Sequence, residues 1–567
     1  MLGANGRSKG CGLYKSFTAA QDAVGISTSR TDLTRSDHTF PRLSATTASW
    51  CAVLIFAATL IAFWPVLRAD FVDWDDFATV ASNPRIAHPT GESLAFFWRE
   101  PFLDLYSPLT CTVWWMIARA TPGESVTLNP AIYHGVNVAM HILSGLIVFA
   151  ILRRLVNQDA AACAGAMVFA LHPLQVESVA WVSGLKDVLC GLLSLLAIWQ
   201  YLCSVRQAHR VTRRVQYALA LVAAIGAMLS KPTAVVVPIL ILTADVLARK
   251  RPWRSAVRSC APFAIVAIVG AVIAARVQTA PNLTTAVSPM LRPLVAMDAI
   301  AFYLCKLVLP INLGLDYGQT PRRVAETGRL WFTWIVPVIA GAVVWLLRRR
   351  APLLLLGACW FVAPLLPVLG FVSFDFQEFS TVADHYMYLP MLGVALSVAA
   401  LVARVGIASL AVVAPAIVAL GALAHHQCNF WLNSRSLNTR AVQVNPRAWY
   451  SLNRLAGYAL EDGDHDLALT YARRSVDLKP TDADNHVNLG AALLAQRRLL
   501  DALPHLEFAI SRKPASLEGH LNLGNCYAGL GRFNDAVREF EAAVTLDPKS
   551  GHASALLERA RAFQRSR

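Results

Sequence analysis

Three carboxylates stand within four residues, Asp73, Asp75 and Asp76, in the stretch Phe71-Val72-Asp73-Trp74-Asp75-Asp76-Phe77, just after the first strongly apolar run. Carboxylates so grouped can take a proton from a hydroxyl, hold a divalent cation, or do both. One Asp there reads equally as a helix N-cap. Three of them between Phe71, Trp74 and Phe77, rings suited to a bilayer interface, point instead to a site held close to a membrane surface. A second group, Tyr133-His134 to His141, places His134, Asn137 and His141 at helical spacings on one face. Such a stripe either supports a site or hydrogen-bonds between helices at about 1 kcal/mol or less per contact, and the lack of an acidic ligand in the same helix favours the second reading. A third, His172-Pro173-Leu174-Gln175-Val176-Glu177 to Trp181, is a polar hairpin between apolar runs, followed by Lys186-Asp187, a pair that needs partners inside the bundle. Ser230-Lys231-Pro232-Thr233 and Asp384-His385-Tyr386 to Pro390 supply cations for an anionic headgroup such as a phosphate. His425-His426 lacks a third ligand and reads as incidental to metal binding.

The elements that must position these residues are membrane helices. The chain has 567 residues, 56% hydrophobic and 15% charged, against roughly 25% charged in soluble proteins. Apolar runs lie near 47–68, 132–152, 159–172, 178–203, 215–230, 233–248, 260–276, 294–310, 331–347, 351–372, 386–403 and 405–424, and about 11 spans are expected. The net charge of +15 sits in short clusters between runs, at Arg153/Arg154, Arg206 to Arg214, Arg249 to Arg258 and Arg348 to Arg350. Such clusters orient a membrane protein, so nucleic-acid binding is not supported and these loops read as cytoplasmic. Residues 1–46 read as a disordered cytoplasmic tail. The Asp cluster, His172 to Glu177, Lys231 and Asp375 to His385 then share the other face. Three runs between Arg258 and Arg348 break the alternation, which makes 260–276 or 294–310 re-entrant or interfacial. The 11 cysteines form no CxxC pair, and Cys163, Cys190 and Cys305 read as small core residues.

After 47–427 the composition turns polar. Pro446, Pro480, Pro514 and Pro548 recur at intervals of 34 residues, the period of the tetratricopeptide repeat. Leu489-Gly490 and Leu523-Gly524, with Leu455-Ala456 as a weaker version, and Ala468, Ala502 and Ala536 mark matching positions. The repeat domain is 428–567, with repeats at 449–482, 483–516 and 517–550 and a capping helix at 551–565. The fold class is all-α, a polytopic helical membrane domain followed by a repeat solenoid.

In this order the motifs resemble the transmembrane and tetratricopeptide-repeat-containing glycosyltransferases, relatives of the protein O-mannosyltransferases with the GT-C fold. The resemblance covers nearly everything from residue 50 onward. It implies transfer of a sugar, a hexose such as mannose, from a polyprenyl-phosphate carrier to protein Ser or Thr hydroxyls on the non-cytoplasmic face. Asp75 and Asp76 would be catalytic and would hold Mg or Mn if a divalent cation is used. His172, Glu177, Lys231, Asp384, His385 and Tyr386 would bind the carrier, with Asp73, His134, Asn137 and His141 in support. The repeats would bind acceptor proteins. Compact loops and an Ala, Val and Arg bias suggest a bacterial inner membrane, with a cytoplasmic N-terminus and periplasmic repeats. The chain departs from the pattern at His385, where similar proteins carry Arg, and at Pro232, where they carry Glu. The alternative is a membrane-anchored repeat scaffold that has lost catalysis.

Overall fold

The computed structural model describes residues 45–121, 128–277 and 287–566, so the expected tail falls almost wholly outside them. Among the described residues all regular elements are helical, apart from one isolated bridge between Phe102 and Leu105. Six helices among the described residues are long and apolar enough to cross a bilayer: Thr46–Arg68, Pro130–Val156, Val182–Arg206, Trp253–Val277, Arg329–Leu347 and Ile407–Trp431. Asp159–Leu171 and Pro173–Ala180 would form a seventh, bent by 50°. The bend follows from Pro173, which has no N–H for the Phe169 carbonyl; the Gln175 side chain donates to that carbonyl at 3.1 Å instead. Pro232–Ala248, Pro352–Val368 and Met391–Val405 are apolar but shorter. The expected count of about 11 requires these, the bent pair and Arg210–Ser230 to cross as well.

The short helices are held by close crossings. A side chain at Gly393 would meet the backbone of Gly357, Trp360 and Phe361, and one at Gly165 the carbonyl of Ala395. Ile61, Ile268 and Leu346 stay exposed on candidate spanning helices, as side chains facing lipid would.

The run at 294–310 forms a helix too short for the long apolar class. Arg292–Val308 is 17 residues long and carries Asp298 and Lys306. Both its ends touch the loops that carry the candidate site: Arg292 donates to the Phe371 carbonyl at 3.0 Å, and the Leu307 carbonyl takes a hydrogen bond from His172 Nε2 at 3.2 Å.

The repeats fold as helix pairs Trp449–Glu461 with His465–Leu478, Ala483–Ala495 with Leu499–Arg512, and Leu517–Gly529 with Phe533–Leu546. Gly551–Arg565 closes the stack, and Ser434–Val444 leads into it. Period-34 small residues make the pairs fit. Ala468, Ala502 and Ala536 are fully buried, while Gly490 and Gly524 lie against Leu506 and Phe540. The described cysteines are free; Cys163 and Cys190 are buried as expected, whereas Cys305 is exposed.

Candidate active site

The three carboxylates of the first loop have three different environments. Asp76 is fully buried. Its Oδ1 accepts from the Ser183 backbone N–H and hydroxyl at 2.8 and 2.7 Å, and its Oδ2 from the Val72 N–H at 3.1 Å. Burial raises its carboxyl to about 6 despite these donors. Asp76 ties the loop to the turn before Leu185–Arg206 and has no face for a substrate. Asp73 works in the opposite direction. It accepts from Arg454 Nε at 3.0 Å and from the Tyr458 hydroxyl, its carbonyl accepts from Tyr450 at 3.1 Å, and its N–H donates to Ser434 at 2.9 Å. It is a strut to the first repeat. Only Asp75 is open, with its side chain 45% exposed and Lys186 Nζ at 3.5 Å.

Lys186 and Asp187 begin the same helix, and they join two clusters. Asp187 accepts from Lys231 Nζ at 2.6 Å. Lys231, Asp187, His385, Tyr386 and Tyr388 border a cavity of about 30 Å³, with Lys231 5.9 Å from the Tyr386 ring centre. That volume holds a water or two. His385 Nδ1 is hydrogen-bonded to Glu177, whose other oxygen accepts from the Asp384 N–H at 3.3 Å. Burial, reinforced by Lys231 and Lys186, holds His385 well below the usual imidazole range. Burial thus disfavours the charged imidazole, whereas an Arg at this position keeps its charge. Asp384 accepts from the Tyr317 hydroxyl at 2.7 Å, and burial lifts its carboxyl to about 7.

Half-exposed Asp75 is thus linked through Lys186 to the start of Leu185–Arg206, where Asp187 pairs with Lys231 at the enclosed cavity bordered by His385 and Tyr386, with Glu177 and Asp384 behind His385. His172 does not join them. Its Nδ1 accepts from the Leu174 N–H at 3.2 Å and its Nε2 donates to Leu307, so it caps the bend and has no nitrogen left for a carrier. The stripe also serves the bend: Asn137 donates to the Trp181 and Val179 carbonyls, His141 bonds Ala170 and Tyr388, and His134 bonds the Asp70 carbonyl. A divalent cation does not fit the donor set at Asp75 and Asp76, which offers one free carboxylate opposite an ammonium. Among the described residues no group of three His, Cys, Asp or Glu side chains could hold a metal.

Sequence reasoning flagged Lys186 as a charge needing a partner but did not assign it to Asp75. Ser183, Arg454 and Tyr458 carried no signal, because what they do depends on residues more than 100 positions away. Two indole N–H groups at the site, of Trp74 and Trp181, are buried without a hydrogen-bond partner. A groove of about 710 Å³ along the concave side of the repeats begins at Phe379, Trp449 and Tyr450, against which Trp74 packs.

Residues 130–278 match the family described as dolichyl-phosphate-mannose-protein mannosyltransferase, a stretch that includes Glu177, Lys186, Asp187 and Lys231. Residues 434–483 and 493–560 match tetratricopeptide repeat families. The chain is similar to protein O-mannosyl-transferase TMTC1 of Mus musculus, 31% identical over 166 residues covering 28% of this chain and 17% of that protein. It is similar to protein O-mannosyl-transferase TMTC4 of Homo sapiens, 27% identical over 197 residues covering 31% of this chain and 26% of that protein. The matches therefore span about a sixth to a quarter of those relatives. Among solved structures, the Arabidopsis OM64 TPR domain covers 20% of this chain and 95% of that domain at 20% identity, with a TM-score of 0.20. The resemblance to repeat-containing glycosyltransferases is upheld: an all-helical membrane protein joins a segment similar to the mannosyltransferase family to tetratricopeptide repeats.

Proposed function

We propose that this protein is an integral membrane glycosyltransferase that moves a hexose such as mannose from a polyprenyl-phosphate carrier to Ser or Thr hydroxyls of acceptor proteins. The observation that carries the reading is the neighbouring placement of one open carboxylate, Asp75, and a cation cluster, Lys186 and Lys231, at the start of Leu185–Arg206. Asp75 takes the acceptor hydroxyl proton, the oxygen attacks the anomeric carbon, and the carbon–oxygen bond to the carrier phosphate breaks. The departing phosphate keeps the bonding pair, and Lys231 and Lys186 lie where its charge is offset. Trp74 and Trp181 supply unused N–H donors for sugar or phosphate. A phosphate exceeds the 30 Å³ now enclosed, so carrier entry separates Lys231 from Asp187.

The Asp75 loop and the repeats lie on one face of the bundle, joined by Asp73 to Arg454 and Glu378 to Lys479. The arginine clusters at the far ends of the helices favour that face as the non-cytoplasmic one, and the compact loops with the Ala, Val and Arg bias favour a bacterial inner membrane. The groove that starts beside Trp74 favours the repeats as the acceptor-binding surface. The closed cavity favours one second reading, a membrane-anchored repeat scaffold without catalysis. Transfer of label from a radiolabelled polyprenyl-phosphate hexose to envelope protein separates the two. The enzyme predicts labelling that falls at least 100-fold in Asp75→Asn at equal expression. Labelling that is absent, or equal in both, leaves the scaffold.

A further inference from the structure

On the face opposite the Asp75 loop, three arginines converge where two spans end. Pro130–Val156 finishes with Arg153 and Arg154, and Val182–Arg206 with Arg206. With Ala150, Asn157, Asp159 and Trp199 they line an open cavity of about 510 Å³. Arg153 is occupied, its Nε and Nη2 reaching the two Asp159 oxygens at 2.7 and 3.1 Å. Arg206 reaches across to the Arg154 carbonyl at 2.8 Å, and the Arg154 guanidinium lies 5.7 Å from the Trp199 ring centre. Among the described residues no carboxylate pairs with Arg154 or Arg206.

Two ordinary reasons place cations here: orientation of the chain and relief of helix C-terminal dipoles. Neither requires a cavity, nor two uncompensated guanidiniums drawn together against their repulsion. A second arginine pair near the cytoplasmic loops shows the self-contained alternative. Arg249 and Arg251 each reach the buried Asp245 at 2.7 Å, and Tyr201 donates to the same carboxylate. Among the described residues the one carboxylate of the cavity beside Arg154, Asp159, is taken up by Arg153, which leaves Arg154 and Arg206 to meet an anion.

We propose that this cavity binds the headgroup of an anionic phospholipid, with the phosphodiester between Arg154 and Arg206. Guanidinium forks match phosphate oxygens, and basic pockets between spans suit such headgroups. The volume is in the range of small-molecule sites, roughly 300–1,000 Å³. Leu143, Ile147, Ala150 and Arg154 follow one another up one helix face, and Leu143 is 50% exposed, so an acyl chain has an apolar track below the headgroup. A bilayer lipid, rather than free phosphate, satisfies both ends.

The test uses the full chain purified in neutral detergent, with thermal midpoint and native mass spectrometry as readouts. Phosphatidylglycerol should raise the midpoint saturably and be retained at one molecule per chain. Phosphatidylcholine and millimolar inorganic phosphate should do neither. Arg154→Gln/Arg206→Gln should weaken the phosphatidylglycerol response at least tenfold, and Arg154→Lys/Arg206→Lys, which keeps the charge without the fork, should weaken it less. Arg348→Gln/Arg349→Gln, a pair at another cytoplasmic loop, should leave it intact. Equal stabilisation of wild type and the glutamine variant overturns the site. Loss in the Arg348/Arg349 control reduces it to general surface charge, and a response to inorganic phosphate alone removes the lipid.

Discussion

Asp75 and Asp76 are adjacent in sequence, yet Asp76 holds the turn at Ser183 while Asp75 stays open beside Lys186. The difference predicts different failures. Asp75→Asn should abolish transfer and leave the thermal midpoint unchanged, since an exposed carboxylate near one lysine contributes little. Asp76→Ala should lower stability by about 1–3 kcal/mol, because it strands three buried donors at Val72 and Ser183. Purified variants compared by thermal melting and sugar transfer will separate the two; equal melting of Asp76→Ala and wild type would remove Asp76 from its structural role. Asp316 gives a pH signature outside the chemistry. It accepts from the Gly318 N–H at 2.7 Å, and burial raises its carboxyl from 3.8 to about 6. The fold then holds a proton that the unfolded chain has released. Its contribution is full below about pH 3.8 and is lost as pH rises through 6, by up to roughly 3 kcal/mol. The midpoint of wild type relative to Asp316→Asn should therefore fall between pH 4 and 7. A rising difference would contradict this burial.

Elements carry the same logic over longer distances. Gly393 lets Met391–Val405 touch Pro352–Val362 backbone to backbone, so Gly393→Ala should destabilise the bundle by about 1–3 kcal/mol, seen as lower yield and melting point. A substitution at Gly135, which has open space around its Cα, is the control that should be tolerated. The repeat helices were the most legible part of the sequence. A 34-residue period fixes which faces are apolar, and the pairs start at 449, 483 and 517 as the spacing of Pro446, Pro480 and Pro514 requires. The segment at 172–181 reads in sequence as a polar hairpin between two apolar runs, whereas it folds as a buried helix bent at Pro173. Arg292–Val308 was not legible, since its hydropathy resembles that of a short span and its two end contacts, at Phe371 and His172, are tertiary. The same limit applies to His172 and Asp76. Their residue types advertise chemistry, but burial and saturated hydrogen bonds, which are tertiary properties, assign them to structure. Lys186 shows the converse, a charge whose depth in a helix announced a partner without identifying it.

At the scale of the whole molecule, two compartments of the proposed reaction meet at one aromatic seam. Phe376 lies against His385 and Tyr386 at the carrier cavity, while Phe379, three residues on, stacks on Trp449 at the mouth of the repeat groove and packs against Trp74 beside Asp75. On the proposed reading a chain segment lying in that 710 Å³ groove would be led toward the Asp75 loop, which Asp73 ties to the groove wall through Arg454 and Tyr458. Binding energy gathered far from the reacting hydroxyl should then appear as acceptor affinity rather than as rate of the chemical step. Asn522 and Asn525 line the groove on the third repeat, well away from the catalytic loop in sequence. Asn522→Ala/Asn525→Ala should raise KM for a folded or long acceptor about tenfold, near 1.4 kcal/mol, with kcat unchanged. A short Ser/Thr peptide that reaches only the Asp75 end should react equally with both enzymes. Steady-state kinetics on the two acceptors decide the matter. If kcat falls for both while KM holds, the groove acts on the catalytic loop through the Asp73 strut and not by gathering acceptor.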